Sequence, residues 1–429
     1  MAIIHGNSNP NHLIGTPQAD DLRGYEGDDL LDGGGGNDVM RGGLGNDVYV
    51  TDGGDTLVES ANQGIDEVRS SASMTLGSTL ENLVLTGGAA LNGSGNAQNN
   101  VLTGNAGNNV LQGHGGHDEF VVSGGIDAIH GGDGPDAILF GATAAASIDL
   151  AAGTYFVSSS QRGTVSSVSH AVGSPFGDQI VGNGDVNHLS GGAGDDVMRG
   201  GPGNDQIWGG TGSDRLIADA GSDTLVGNSD TLGTATDAAA DTFEVRTAAG
   251  NVTIADFQPG VDKIDLTAFG FDQNGVSPDW TASGSYGSNA ALLSLLGPNG
   301  AQVCITLNGV VQGLTPADLI GGTPALIPAA TVYPVNGGTG IAVVFVIDPA
   351  AILSQHQGVL DIVGFEDGLD RIDLGALDLD NPTYWDGWFY DYGPNDQTRL
   401  EFWGLGGEFF AVNLVGHSYF QADPSDFIL

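Results

Sequence analysis

Basic residues are almost missing from this chain. It has 10 Lys+Arg against 53 Asp+Glu over 429 residues, for a net charge of -43, and Lys263 is the single lysine. A surface so acidic excludes nucleic acid and anionic membrane as partners. Cysteine is nearly absent too: Cys304 stands alone, so no intrachain disulfide staples the fold. No stretch approaches 18 uninterrupted apolar residues, which excludes a transmembrane helix. Met1 to Gly15 lacks a basic segment followed by an apolar run and does not read as a cleaved signal peptide. Acidic composition alone would suggest disorder. That reading fails, because 40% of the residues are hydrophobic and they recur on a fixed beat.

Glycine is what the chain has in excess, with 73 residues. Much of it belongs to a nonapeptide, G-G-x-G-x-D-x-U-x, with U large and apolar. Gly33 to Arg41 (GGGGNDVMR) and Gly42 to Val50 (GGLGNDVYV) fit it without a gap. Stepping back by nines gives Gly24 to Asp32, Gly15 to Arg23 and a worn copy at Gly6 to Ile14. A first array thus spans 6–50, with Asp20, Asp29, Asp38 and Asp47 at position six and Leu13, Leu22, Leu31, Met40 and Tyr49 at U. A second array, 95–139, carries Asn100 and Asn109 at position six before Asp118 and Asp136 restore the acid. The third, 173–226, has Asp178, Asp196, Asp205, Asp214 and Asp223, with Asn187 in one copy.

Glycine at positions one, two and four permits positive φ and close backbone approach, so six residues make a tight turn with carbonyls facing inward. The aspartate adds a carboxylate. Ca²⁺ wants about 6–8 oxygens, more than one turn offers but within reach of two stacked turns. The last three residues form a short strand with U inward. Two nonapeptides then make one coil, and each ion sits between turns of successive coils. Asparagine offers only a neutral oxygen, so Asn100, Asn109 and Asn187 mark weak or absent sites.

These residues resemble the RTX (repeats-in-toxin) proteins exported by type I secretion. The resemblance covers roughly 6–228. It implies a right-handed parallel β-roll, an all-β β-solenoid, with Ca²⁺ as cofactor. The ligands it implies are the position-six aspartates and carbonyls near positions two and four: Gly34, Gly36, Gly43, Gly45, Gly192, Gly194, Gly201, Gly203, Gly210 and Gly212. It also implies the type I secretion apparatus as a partner and a secreted or cell-surface location. Residues 55–85 and 147–173 resemble the spacers of such proteins and are expected to continue the solenoid with longer coils.

Beyond a polar linker at 229–240 the chain repeats itself. Asp256 to Leu266 (DFQPGVDKIDL) and Gly364 to Leu374 (GFEDGLDRIDL) match at an offset of 108, and Pro316 to Ile320 meets Pro424 to Ile428 at the same offset. The expected organisation is a roll over 1–228 and two C-terminal β-modules, 229–323 and 324–429. Each module resembles the cap that follows the repeats of serralysin-type proteases. The last residues, Asp426 to Leu429, resemble the tail that serves as a type I secretion signal.

Motifs for catalysis are missing: there is no H-E-x-x-H and no G-x-S-x-G. His114 and His117 fill positions two and five of one nonapeptide, and Cys304 lies in a strand-like run as a small buried hydrophobe. Thirteen of the 30 Phe, Tyr and Trp residues crowd into 380–429, among them Trp385 and Trp388, as a dense core or a glycan-binding surface. The expectation is a non-enzymatic calcium-binding structural or surface-layer-like protein that folds, and by one reading self-assembles, on Ca²⁺. The alternatives are an adhesin or glycan-binding module and, behind it, a hydrolase with an unrecognised site.

Overall fold

The structure is a computed structural model. It describes residues 1–141, 144–158, 161–228, 239–247, 250–270, 290–298, 301–310 and 318–320, together with the strand backbones at 249, at 281–286 and within 331–428. Two units divide the chain: 1–268 with 317–320, and 269–316 with 321–429. The fold is all-β, with about 14 parallel stacked coils and almost no helix.

The nonapeptide builds the coil as its chemistry requires. The D-x-U-x half forms a short strand, and the alternation of side chains sends U inward while its neighbours face outward. Leu31, Tyr49 and Leu189 are buried at the centre of such strands. Successive strands on one face pair in parallel 18 residues apart: Leu30 with Val48, Gln179 with Val197, Gln206 with Thr224. Two nonapeptides therefore make one coil. The pairing aligns Leu13, Leu31, Tyr49 and Val68, and farther along Ala171, Leu189, Ile207 and Leu225, into one continuous core column. Full burial of each such side chain contributes about 1.5–3 kcal/mol.

The two spacers behave differently. Residues 55–85 keep the parallel stack with uneven steps: Val48 pairs with Glu67, 19 residues on, and Glu67 with Asn82, 15 on. Residues 147–166 depart from the expected longer coils. Ser147–Asp149 runs antiparallel to Thr154–Ser158, which runs antiparallel to Gln161–Ser166, and the flanking coils pair in parallel on either side. The cause is a tight turn. Asp149 accepts the Ala152 N–H at 2.7 Å and Gly153 takes φ +68°, which reverses the strand before a coil can close.

Parallel stacking does not stop at the end of the nonapeptides. Arg215 pairs with Thr242, Thr242 with Lys263, and Ile264 with Leu319. The D-K-I-D-L segment is thus a coil of the same sheet. The pairs Ile264–Leu319 and Asp265–Ile320 recur, 108 residues later, as Ile372–Phe427 and Asp373–Ile428. A three-stranded antiparallel meander over 281–308 has its counterpart over 385–415.

The aromatic side chains of 380–429, including Trp385 and Trp388, lie outside the described residues, as does most of the linker at 229–240. Cys304 is half-buried rather than buried. It occupies the opposite face of its strand from Val303 and Ile305, where strand alternation places it.

Candidate metal centre

The position-six aspartates form ladders along the stack. Along each ladder a backbone N–H donates to Oδ1 of the equivalent residue one coil on. Asp20 donates to Asp38, Asp29 to Asp47, Asp118 to Asp136, Asp178 to Asp196, Asp196 to Asp214 and Asp205 to Asp223, at 2.6 to 3.0 Å. All eleven are buried.

One oxygen of each carboxylate is therefore fixed by the fold, and the second is left for something else. In Asp29, Asp38, Asp47, Asp118, Asp136, Asp196, Asp205 and Asp223, Oδ2 is buried and meets no donor. Leaving a buried carboxylate oxygen unsatisfied is costly. Among the described residues no Lys or Arg pairs with these eight. Arg23 and Arg41 converge on Asp21, and Arg199 and Arg246 on Asp219. Burial, the dominant cause in each case, pushes Asp47, Asp118, Asp205 and Asp223 up to about 6 and Asp196 up to about 7. Asp29, Asp38 and Asp136 rise for the same reason.

Two ladder positions are built otherwise. Thr16 gives both its N–H and its hydroxyl to Asp20 Oδ2 at 2.7 Å, which holds that carboxyl below its ordinary range. Ser174 likewise donates its N–H to Asp178 Oδ2 and its hydroxyl to Oδ1. At both positions a donor from residue two of the turn, the N–H and hydroxyl of Thr16 or the N–H of Ser174, reaches the Oδ2 that stays donorless elsewhere.

The turns need glycine for reasons of space as well as conformation. Gly34, Gly36, Gly43, Gly45, Gly192, Gly194, Gly201, Gly203, Gly210 and Gly212 all have positive φ. At Gly210 a Cβ would collide with the Gly192 carbonyl of the preceding coil, and at Gly42 with Asp47 Oδ2 itself. The carboxylate thus occupies the volume of the missing side chain at position one.

The asparagines close the coil by themselves. Asn187 Nδ2 donates to the Ser169 carbonyl at 2.7 Å and to Asn183 Oδ1 at 3.0 Å. Asn109 reaches the Leu91 carbonyl at 2.9 Å, and Asn100 the Glu81 carbonyl at 3.0 Å. An amide nitrogen stands where an orphaned oxygen would be.

Sequence reasoning missed several ladder members. Asp55, Asp66, Asp127, Asp241 and Asp262 accept the N–H of Asp38, Asp47, Asn109, Asp214 and Asp241 in turn. Their signal was present as a D-x-U triplet without the glycine at position one: D-T-L, D-E-V, D-A-I, D-T-F and D-K-I. Position five was missed as well. Asn204 and Asp195 accept the N–H of Ser222 and Ser213, one coil on, in an outer ladder. His114 is bound to Ser94, and His117 lies edge-on to His170.

Buried carboxylate oxygens without donors, set in turns rich in inward backbone, suit a hard divalent cation. The profile of the RTX calcium-binding nonapeptide repeat matches four times, over residues 14–49, 94–129, 172–207 and 199–231. The chain carries RTX calcium-binding repeats. Calcium is therefore the cofactor of the RTX roll. Of solved structures, the AlgE6R3 subunit of the Azotobacter vinelandii mannuronan C5-epimerase is similar at 23% identity, covering 38% of this chain and 88% of that one, with a TM-score of 0.17. The extracellular lipase LipA from Serratia marcescens is similar at 14% identity, covering 64% of this chain and 44% of that one, with a TM-score of 0.19. At TM-scores this low neither resemblance extends to the arrangement of the whole chain. No curated protein matches it in sequence. Among the described residues no helix is long and apolar enough to cross a membrane.

The residues that would hold the ion are the eight aspartates with a donorless oxygen, with turn carbonyls beside them. Bound Ca²⁺ supplies positive charge to a stack of buried anions. The chain supplies the frame: Oδ1 anchored by backbone, Oδ2 pressed into the turn, and glycines that leave room.

Proposed function

We propose that this is a secreted, non-enzymatic structural protein of surface-layer or extracellular-matrix type, exported by a type I apparatus and folded by Ca²⁺ outside the cell. The observation that carries this reading is the series of donorless buried carboxylate oxygens, which recurs in all three arrays. Where free Ca²⁺ is scarce these charges oppose compaction and the chain stays loose enough to export. Where Ca²⁺ is abundant, binding free energy becomes folding free energy. Ions bridging acidic surfaces would then join copies to one another.

Circular dichroism with light scattering during a Ca²⁺ titration tests both parts. Structure should appear first and particle mass second. A chain that stays ordered after exhaustive EGTA dialysis, with a melting temperature indifferent to Ca²⁺, would overturn the reading. Monomers alone at millimolar Ca²⁺ would remove the assembly part.

A further inference from the structure

The first array ends at Val50, and the chain then leaves the nonapeptide pattern until Gly95. At that boundary three carboxylates meet. Asp47 is the last position-six aspartate of the array, and Asp66 is the next member of its ladder, accepting the Asp47 N–H at 2.8 Å. Glu59 belongs to the intervening spacer and turns back toward them. Its Oε1 is anchored twice, by the Tyr49 hydroxyl and by the Gly43 N–H at 3.2 Å. Its Oε2 is buried and has no donor, and the same is true of Asp47 Oδ2. One carboxylate oxygen from each of Asp47, Glu59 and Asp66 lies within 4.8 Å of the other two.

The arrangement differs from the nonapeptide sites in its ligand set. There, each turn offers one carboxylate, and carbonyls would make up the rest. Here three carboxylates from separate points of the chain converge, two of them outside any nonapeptide. Asp47 and Asp66 are each 1% exposed, so water does little to relieve their repulsion. Burial first, and then the neighbouring carboxylates, pushes Asp66 up to about 7. An all-oxygen, triply anionic pocket selects a hard ion over zinc or copper, and its irregular sources suit Ca²⁺ better than Mg²⁺.

We propose that Asp47, Glu59 and Asp66 form a further Ca²⁺ site that clasps the spacer 51–65 to the end of the first array. It rests on the reading that the chain meets Ca²⁺ outside the cell. Glu59 is the specific ligand, and Tyr49 positions it by holding Oε1 so that Oε2 faces the aspartates.

The test uses the full chain, stripped of metal and titrated with CaCl₂. Ions per chain are counted by equilibrium dialysis, and amide exchange is followed over 51–66 and 173–228. Glu59→Gln should bind one ion fewer than wild type and lose Ca²⁺-dependent protection over 51–66, while 173–228 stays protected. Glu67→Gln, whose carboxylate pairs outward with Arg69, should behave as wild type. Equal ion counts and equal protection of 51–66 in Glu59→Gln and wild type would overturn this site alone. A wild type that takes up no Ca²⁺, with 173–228 unprotected, would overturn it together with the reading it rests on.

Discussion

Residues 95–112 and 191–226 have the same coil and opposite needs. Both stack in parallel at 18 residues per turn with a buried apolar residue at the centre of each strand. In the first, Asn100 and Asn109 bond to carbonyls of the neighbouring coil. In the second, Asp196, Asp205 and Asp223 carry an oxygen that nothing in the protein satisfies. One atom, nitrogen or oxygen, separates a coil that closes by itself from one that waits for an ion. The shared core sets the shape. The position-six side chain sets whether the shape is stable without metal.

The largest expected effect follows directly. With EGTA, amide exchange over 191–226 should accelerate the most, while 95–112 keeps its protection longest. Simultaneous loss in both regions would break the comparison. Next in size is Asn187→Asp. It removes the two amide bonds and adds a buried acid, so the metal-free protein should lose about 1–3 kcal/mol, and the Ca²⁺-loaded protein should hold one more ion. Urea melts with and without Ca²⁺, alongside an ion count, measure both changes.

The acid response should distinguish the two states of the roll. Asp196 and Asp205 have folded-state values near 7 and 6, above the ordinary 3.8. The metal-free folded chain therefore binds more protons than the unfolded one. Without Ca²⁺, urea midpoints should rise as pH falls from about 7 toward 4 and level off below the ordinary value. With saturating Ca²⁺ the slope should reverse, because protons compete with the ion for the same oxygens. The smallest effect belongs to the outer ladder. Asn204→Ala removes one exposed bond to Ser222 and should cost about 0.5–1 kcal/mol in either state.

The sequence shows the roll so plainly because each coil repeats the same local instructions. Glycine spacing, the aspartate and U all fall within nine residues, so Gly210, Asp205 and Ile207 could be assigned without knowing what lay across from them. Contacts that fall outside the nine-residue formula were hidden. The hydroxyls of Thr16 and Ser174 matter only because they turn onto Asp20 and Asp178 within their own turns, which the nonapeptide formula does not record. Asp241 and Asp262 belong to coils of irregular length, so a search in steps of nine passes over them. Glu59 gains its place from a spacer whose path no periodicity dictates. The reversal at 147–166 turns on one Asp149 bond and a glycine, features too common in loops to announce a hairpin.

The ladder runs one way. In every rung the hydrogen comes from the coil nearer the N-terminus and the oxygen from the coil nearer the C-terminus. In the position-six row each coil therefore presents carboxylate acceptors toward the N-terminus and backbone donors toward the C-terminus, while the position-five row runs the other way. Two copies stacked head to tail would continue both rows, and such a joint gives a ring or an open string according to whether its rotation closes.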